Sequence, residues 1–420
     1  MTDALRVLMV ADVSPLTIQG GGERVLWEQA SRLAARDRRV SVVSRSPSDH
    51  VPEAVERRGV HIHHFPADRR SPLRFLLTTI RNATRAVDDA LVKDGGDLLQ
   101  LYQPLSGYGA LRSARARTLP VLYTFLSPTP LEYLSRSGMT AHHRPGPVGR
   151  AAQAILWLIE RACLQRASRI HVLSDFSAGQ LWKLYRIPSD RIVKIPAGAD
   201  LERFRPAGDR ITSRTALDVP PDVPLFLTVR NLEARMGLDT LISAVALLRQ
   251  QVPRFCLLVG GTGSRRGALE SLSASLNLGH CVRFLGYIPD LDLPTFYQAA
   301  DAFVLPTREL EGFGLVTAEA LACGTPVLGT AVGATPEILE PLDPALVVRD
   351  LTPEALAETL GRFIKINLQD PATGRRLRQA CRRHAETHYS WDLSVSQLDG
   401  LLADMAATRI TRPAGVHGIR

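Results

Sequence analysis

Two glutamates, Glu311 and Glu319, lie eight positions apart around the turn Gly312-Phe-Gly314. The turn leads into residues 315–322, whose apolar composition predicts a buried helix that ends at Gly324-Thr-Pro. Glycines leave the backbone open to a ligand, and the free N–H groups of a helix N-terminus attract anions such as a diphosphate. With a rise of about 1.5 Å per residue, the carboxylates would lie roughly 10 Å apart, enough to bind hydroxyls on opposite sides of that diphosphate. The pattern predicts a nucleotide-sugar site.

The two acids also allow a purely structural interpretation, which the sequence leaves open. Glu311 would then stabilise the helix as an acid near its N-terminus, and Glu319 would be solvated.

Two arginines follow the predicted strand 225–229. Arg230 and Arg235 lie in the loop that ends at Gly237. Because a guanidinium matches the geometry of phosphate oxygens, we predict that the pair clamps a diphosphate and neutralises charge on a departing nucleotide. The alternative is that both are ordinary surface arginines, in a chain with 51 lysines and arginines.

Two further glycine-rich loops are candidates for backbone contact with phosphate. Gly261 and Gly263 end the predicted strand 254–259 and form a phosphate-side loop without the Lys-Ser/Thr of a P-loop. In the first half of the chain, Gly20-Gly21-Gly22-Glu23 opens a predicted helix over residues 24–35. The G-x-G-x-x-G fingerprint is absent there, which disfavours a nicotinamide oxidoreductase.

Short apolar segments alternate with helical ones along both halves of the chain, as in parallel sheets covered by helices. The predicted strands are 5–10, 40–44, 60–65, 98–102, 121–125 and 169–173, then 225–229, 254–259, 282–285, 302–305 and 326–329. The fold class is therefore α/β, with two doubly wound Rossmann-like domains facing a cleft. Ligands should gather at the carboxyl ends of the strands.

The length of 420 residues exceeds one ordinary core, so we expect two domains. The predicted divisions are an N-terminal domain over 1–203, a C-terminal domain over 204–388, a helix over 389–405 and a disordered tail over 406–420. Residues 203–224, rich in Pro, Asp and Arg, are predicted to be a linker.

The composition limits the compartment and the partners. The net charge is +9, no apolar run could cross a bilayer, and no secretion signal begins the chain, so we expect a cytoplasmic protein. The basic charge favours an anionic partner, but no nucleic-acid reader motif is present, and we expect no nucleic acid. The basic segment Arg69 to Arg81 predicts either an amphipathic helix in peripheral contact with the inner membrane face or an ordinary outer helix.

No metal or other cofactor is indicated. The 5 cysteines never have C-x-x-C spacing. Asp290-Leu-Asp292 has the spacing of metal-dependent sugar transfer, but it is predicted to cap the helix that follows. His61 and His63 alternate with apolar residues on a strand, so a solvated face is favoured over a metal site.

With these motifs in place, the chain resembles the family-4 glycosyltransferases of the GT-B fold over most of its length. The matching segments are Gly20-Gly21-x-Glu23, Leu173 to Ser177, Ile195 to Asp200, Arg230 to Gly237, Phe284 to Tyr287, Glu311 to Glu319 and Tyr389 to Asp392. The resemblance implies retaining, metal-independent transfer from a nucleotide-diphosphate sugar held by the second domain to an acceptor held by the first. The closing helix would cross back to the first domain.

The resemblance also implies roles for individual residues. Glu311 would contact the donor sugar and Glu319 the ribose. Tyr287 lies where the family holds the base, and Gly21 would approach the diphosphate. The backbone of Phe313, Gly314 and Leu315 would contact the sugar and phosphate, and Gly20 and Glu23 belong to the acceptor side.

Two departures from the family pattern affect these expectations. Many members have a histidine where this chain has Leu126. The family's Arg and Lys align with Asn231 and Met236, whereas Arg230 and Arg235 lie one residue earlier. We predict that these two arginines supply the clamp.

The leading hypothesis is an enzyme that glycosylates a small-molecule or lipid-linked acceptor, from a UDP- or GDP-sugar, in antibiotic, glycolipid or polysaccharide synthesis. The alternative is a catalytically silent nucleotide-sugar binding protein, which the two departures motivate. The sequence discloses neither the sugar nor the acceptor.

Overall fold

The computed structural model of the protein describes residues 4–18, 20–48, 52–136 and 146–410. These residues form two compact units, each with its own sheet. The first unit contains residues 4–133, 146–195 and 392–410, and the second contains residues 134–136 and 196–391. Among the described helices, none is long and apolar enough to cross a membrane.

The first sheet is parallel apart from one edge strand. Its strands are β1 (Arg6–Ala11), β2 (Arg39–Arg45), β3 (Ala54–Arg57), β4 (Val60–Phe65), β5 (Leu98–Leu101), β6 (Val121–Phe125), β7 (Arg169–Val172) and β8 (Ile192–Lys194). Their order is β3-β4-β2-β1-β5-β6-β7-β8, with β3 antiparallel to β4. The strand order reverses between β1 and β5, so the carboxyl ends of those two strands flank a crevice.

The helices that accompany this sheet are α1 (Gly21–Ala34), α2 (Pro72–Lys93), α3 (Pro104–Arg112), α4 (Thr129–Arg136), α5 (Pro147–Arg166) and α6 (Asp175–Tyr185). Local chemistry fixes several of their starts. Ser71 accepts a hydrogen bond from the backbone of Arg74, and Ser174 accepts one from Ser177, so each serine satisfies a free N–H group at a helix N-terminus.

The second sheet is entirely parallel. Its strands are β9 (Leu225–Val229), β10 (Cys256–Gly260), β11 (Val282–Gly286), β12 (Ala302–Leu305), β13 (Val327–Thr330) and β14 (Val347–Val348), in the order β11-β10-β9-β12-β13-β14. The helices are α7 (Arg210–Ala216), α8 (Leu238–Leu248), α9 (Arg266–Ser275), α10 (Leu293–Ala299), α11 (Leu315–Ala322), α12 (Thr335–Leu339), α13 (Pro353–Phe363) and α14 (Pro371–His388). This is the strand order of dinucleotide-binding folds, with its switch point between β9 and β12.

The predicted linker, residues 203–224, contains α7, so that prediction is wrong. Arg210 and Arg214 each donate to Asp301, at 2.7 and 2.6 Å. Asp301 is buried and also accepts from the backbone N–H of Leu225 at 2.8 Å. Burial raises the pKa of Asp301, but the two guanidiniums outweigh burial and leave it below the ordinary value. The polar composition of the segment therefore reflects buried ion pairs rather than an extended connection.

The last helix, α15 (Trp391–Ile410), continues beyond Ala406, where the disordered tail was predicted to begin. Residues 411–420 lie outside the described residues. From Asp392 onward the helix belongs to the first unit. Arg32 of α1 donates to Asp392 at 2.6 Å, and Arg38 donates to Asp399 at 2.8 Å. Arginines near the end of α1 thus hold the closing helix.

A buried carboxyl on α5 contacts three other elements, β6, α4 and α6. Glu160 of α5 is 1% exposed and accepts hydrogen bonds from the hydroxyls of Tyr123 and Tyr185. It also accepts from the hydroxyl and the backbone N–H of Thr129, at the start of α4, at 2.8 and 3.1 Å. Burial raises the pKa of Glu160 to about 7, against the opposing effect of these hydrogen bonds.

We expect Glu160→Gln to remove a pH dependence of stability. Because the folded pKa is about 7 and the ordinary value is 4.5, protonated Glu160 is favoured in the folded state. The unfolded chain ionises first as the pH rises through 4.5, so stability falls until about pH 7 and is level above it. Each pKa unit corresponds to about 1.4 kcal/mol, so the loss is on the order of 3 kcal/mol.

Thermal unfolding measured across this pH range checks the expectation. The glutamine variant should show a flatter profile than the wild type, whereas the control Glu56→Gln, at an exposed position, should reproduce the wild-type slope. Equal slopes in all three proteins would show that Glu160 titrates normally.

Candidate functional site

The switch point of the second sheet brings two polar segments together. Arg230 directly follows β9, and Thr307 and Glu311 follow β12, the neighbouring strand. Because the carboxyl ends of adjacent parallel strands meet at one edge, the fold places these residues side by side although 81 positions separate Arg230 from Glu311.

Arg230, Thr307 and Glu311 form a buried cluster. The Arg230 guanidinium donates from Nη2 to Oε2 of Glu311 at 2.6 Å and from Nη1 to the hydroxyl of Thr307 at 2.5 Å. The Thr307 hydroxyl donates to the same Oε2 at 2.9 Å. The side chains of Arg230 and Glu311 are only 6% and 10% exposed. The interpretation of Arg230 as an ordinary surface arginine is therefore wrong.

The cluster holds Glu311 ionised. Burial raises the pKa of this carboxyl, but the charge of Arg230, the hydrogen bonds from Arg230 and Thr307, and the charge of Arg235 together bring it below its ordinary value. Arg235 lies in a short 3-10 helix, Ala234–Met236, and donates to the carbonyl of Leu310 at 3.2 Å. Both sequence-predicted arginines therefore contact the segment 307–311.

The turn before α11 has the predicted geometry. Gly314 is the residue before the helix and has φ +82°, a conformation that favours glycine. Leu315 begins the helix, and Phe313 is buried and packs edge to face on Tyr389 with ring centroids 5.7 Å apart. The free N–H groups at this helix start are therefore presented by a glycine-containing turn, as an anion site requires.

Glu319 is buried within α11 rather than solvated, so the structural interpretation of this acid is wrong. It is 7% exposed and accepts a hydrogen bond from the hydroxyl of Tyr297 at 3.1 Å. A carboxylate inside a buried helix carries a desolvation cost that polar partners must offset, which is typical of a functional acid.

Several glycines permit backbone approaches that hold this site. A β-carbon on Gly261, where φ is +121°, would lie 1.8 Å from the carbonyl of Arg230, and one on Gly263 would lie 2.5 Å from that of Leu232. A β-carbon on Gly333 would lie 2.0 Å from the carbonyl of Glu311. The first two glycines therefore support the Arg230 loop, and the prediction that they also face phosphate stays a prediction.

Tyr287 follows β11 and is 63% exposed, so its ring is accessible to a ligand.

Asp292 precedes α10, but its side chain makes no capping hydrogen bond, so the predicted capping of this helix is wrong. His63 is largely buried against Asp94, with Nε2 and Oδ2 2.6 Å apart, whereas the sequence favoured a solvated face. Within the described residues, no group of three or more His, Cys, Asp or Glu side chains could hold a metal ion.

The first unit also has a glycine-rich turn at a helix N-terminus, that of α1. Gly20 is extended and precedes α1, which begins at Gly21. Glu23 lies in the first turn, and a β-carbon on Gly20 would lie 3.1 Å from its Oε2. A β-carbon on Gly22 would lie 3.6 Å from both Gln103 Nε2 and Leu126 Cδ1. The glycine-rich turn therefore packs beside the position where Leu126 replaces the expected histidine.

Sequence reasoning missed Asp12 and Thr307, which follow strands next to the two switch points, and Tyr297, which lies within α10. Thr307 and Tyr297 hold the predicted glutamates. In the first unit, the Asp12 backbone N–H donates to Gln103 at 2.8 Å, and the Asp12 carboxylate accepts from the Ser106 backbone at 2.8 Å. For Asp12 and Thr307 the available signal was their position, since the carboxyl end of a strand next to a switch point is a candidate ligand contact. Tyr297, within a helix, had no such signal.

Comparison with known proteins places each half of the chain in a glycosyltransferase family. Residues 209–387 match the family model "Glycosyl transferases group 1", and residues 19–203 match "Glycosyltransferase Family 4". Two relatives are named D-inositol 3-phosphate glycosyltransferase. The one from Salinispora arenicola is 31% identical and the match covers 91% of this chain and 87% of the relative. The one from Saccharomonospora viridis is 31% identical and the match covers 94% and 92%.

Solved structures share the fold across both units. Sucrose-phosphate synthase from Thermosynechococcus elongatus has a TM-score of 0.83 at 26% identity, over 96% of this chain and all of that chain. The Anabaena protein HepE, solved in complex with UDP and glucose, has a TM-score of 0.74 at 17% identity over 95% of this chain, and this likeness shows the fold alone. The chain belongs to the family-4 glycosyltransferases, enzymes of the GT-B fold.

Proposed function

We propose that this glycosyltransferase moves a sugar from a UDP- or GDP-sugar to a hydroxyl of a small-molecule or lipid-linked acceptor, with retention of configuration at the sugar carbon. The observation that carries the proposal is the buried Arg230–Thr307–Glu311 cluster beside the glycine turn of α11. An ionised acid held by an arginine, next to free helix N–H groups, suits a sugar on one side and a diphosphate on the other.

Each group in the second unit has a proposed role. Glu311 binds hydroxyls of the transferred sugar, while Arg230 keeps it ionised and oriented. The backbone N–H groups of Gly314 and Leu315 bind the diphosphate as charge develops on it, and Glu319 binds the ribose. The bond between the sugar carbon and the phosphate oxygen breaks, the acceptor oxygen bonds to that carbon on the same face, and the acceptor proton passes to the leaving diphosphate.

Other residues predicted from the sequence have proposed roles in binding the donor or the acceptor. Tyr287, exposed beyond β11, stacks on the base. Gly20 and Glu23, at the start of α1, belong to the acceptor side. The curated relatives make D-inositol 3-phosphate the first acceptor to test. Synthesis of an antibiotic, glycolipid or polysaccharide would be the context of the reaction.

Incubation with UDP-, GDP-, TDP- and ADP-sugars tests the proposal, with nucleotide release, donor binding and product configuration followed together. Release of one nucleotide with an acceptor, and a product that keeps the donor's anomeric configuration, is expected. Binding without release from any donor would indicate a silent nucleotide-sugar binder, and an inverted product would exclude the retaining mechanism.

We expect Glu311→Gln to separate sugar recognition from nucleotide recognition. Loss of the carboxylate charge should lower kcat by about 10²-fold, the scale for removing one preorganised electrostatic contact. Calorimetry should show weaker binding of the UDP- or GDP-sugar and unchanged binding of the free nucleotide. Glu319→Gln should weaken both ligands, because the ribose is common to them.

The neighbouring acid Glu309, substituted by glutamine, is the matched control and should retain wild-type kinetics. Thermal unfolding must accompany these measurements, since Glu311→Gln leaves Arg230 without its charge partner. If Glu311→Gln binds and turns over the nucleotide-sugar as the wild type does, Glu311 has no role in donor recognition.

We also propose that Arg230 and Arg235 neutralise charge on the departing diphosphate, so substitution of both by alanine should depress turnover by about 10³-fold or more. Arg308→Ala is the control, since Arg308 lies in the adjacent loop after β12 but pairs with Asp239 at 2.9 Å. Steady-state kinetics and circular dichroism would be recorded for each variant. A folded double variant with the wild-type rate would remove both arginines from the mechanism.

A further inference from the structure

The second unit contains a cavity where its helical layer is irregular. The cavity measures about 420 Å³ and lies between α13, α14 and a short 3-10 helix, Pro344–Leu346. Helix α13 continues into a π-helical turn, Ile364–Leu368, and two residues separate that turn from α14. Turns of this kind frequently occur at functional sites, and small-molecule sites have volumes of about 300–1,000 Å³. The cavity is therefore large enough for a small ligand.

The deep walls of the cavity are apolar. Leu328, Leu346 and Phe363 line it and are 1%, 2% and 4% exposed. Ile366, in the π-helical turn, also lines the cavity but is 48% exposed. Apolar surface in contact with water is unfavourable, so an apolar ligand group that covers Ile366 would gain hydrophobic free energy.

Three exposed arginines, Arg362, Arg376 and Arg383, also line the cavity. Nη2 of Arg362 lies 3.5 Å from the carbonyl oxygen of Ala345, and Nη2 of Arg376 donates to the hydroxyl of Thr373 at 3.1 Å. Among the residues that the structure describes, no carboxylate forms an ion pair with any of the three guanidiniums. Most of their N–H groups are therefore available to a ligand.

The acids near these arginines do not balance their charge. Asp343 is the single acid among the described residues that line the cavity, and its Oδ1 accepts from the backbone N–H of Ala345 at 2.8 Å. Asp370 accepts from the backbone N–H of Ala372 at 3.0 Å and acts on Arg376 only through its charge. Three arginines and one aspartate leave the lining with a net charge of +2.

The cavity and the candidate site lie at opposite edges of the second sheet. The 3-10 helix leads directly into the amino end of β14, whereas Arg230 and Glu311 follow the carboxyl ends of β9 and β12. Every strand pair in this sheet is parallel, so all amino ends lie at one edge and all carboxyl ends at the other. The cavity is therefore separate from the Arg230–Thr307–Glu311 cluster.

We propose that this cavity binds a small amphipathic organic anion, with its apolar body against Phe363 and Ile366 and its carboxylate or phosphate head between the three arginines. A guanidinium matches the geometry of carboxylate and phosphate oxygens and forms charge-assisted hydrogen bonds with both. The positive charge selects an anion, and the apolar walls select a ligand that is more than a head group. Such binding does not require the proposed transfer reaction, because none of these residues has a role in it.

Isothermal calorimetry of the full-length protein with octanoate and octyl phosphate tests the proposal. Both should bind saturably, and the tighter of the two identifies the preferred head group. Inorganic phosphate and 1-octanol, which supply only the head or only the body, should bind about tenfold more weakly or worse, because each loses one set of contacts. Absence of binding by both amphiphiles, or equal binding of inorganic phosphate and octyl phosphate, would overturn the proposal.

A competition experiment separates the cavity from the candidate site. Saturating UDP should leave octanoate binding unchanged, because the two sites lie at opposite edges of the sheet. Displacement of octanoate by UDP would place it in the candidate site and overturn the proposal.

Variants of the lining test which residues hold the ligand. Arg376→Gln with Arg383→Gln should weaken octanoate binding by about tenfold or more, since it removes two guanidiniums. Ala380→Leu, which adds volume inside the cavity, and Ile366→Gln should each weaken it as well.

The matched control is Lys365→Gln with Arg375→Gln. It removes the same charge from exposed residues of the π-helical turn and α14 that do not line the cavity, so octanoate should bind as it does to the wild type. Thermal unfolding would be recorded to show that each variant is folded. Equal losses in the control and in the double arginine variant would reveal only a general effect of charge and would contradict the proposed site.

Discussion

The ion pair between Arg230 and Glu311 is the interaction on which the candidate site of the second unit depends. A buried charge is costly unless a partner of opposite sign and hydrogen bonds offset the loss of water. Here Thr307 donates to the same carboxylate oxygen as Arg230, so the acid stays ionised inside the protein. A preorganised anion at this place can recognise hydroxyls without first rearranging solvent.

The surrounding backbone is built to hold that pair in one position. Gly261 allows the β10 loop to lie directly against the carbonyl of Arg230, and Gly333 does the same for Glu311. Any side chain at either glycine would displace the charged residue it supports. The glycine-rich segments therefore have two roles in this fold: the turn at Gly314 exposes a helix N-terminus, while the other glycines fix the side chains around it.

The strands of both sheets could be predicted from the sequence because parallel strands that are buried on both faces consist of continuous apolar segments. Strands β4, β6, β9 and β12 were predicted with their observed bounds. The edge strands β3 and β8 were missed because they are short and poorly buried, and β14 because it has only 2 residues. The composition of residues 203–224 was misleading, since Arg214 looks like a surface residue until Asp301, far along the chain, is placed beside it.

Motif spacing identified the acids and the glycine turn of the candidate site, and the family followed from their combination. The partners of those acids did not follow, because Thr307 is brought beside Glu311 by the sheet and Tyr297 is brought beside Glu319 by the packing of α10 on α11. The same holds for the roles of Gly261 and Gly263: spacing shows that the backbone needs freedom there, but not whether a ligand or another loop occupies the space.

The adjacency of β9 and β12 has a consequence for how the protein acquires its activity. The residues that meet at the switch point come from opposite halves of the second unit, and their pairing closes a loop of 81 positions. Long-range closures of this kind lose much chain entropy and form slowly compared with local helices and hairpins. A nascent or partly unfolded chain would therefore hold many native helices while Arg230 and Glu311 are still apart, which makes the candidate site one of the last features to form during folding.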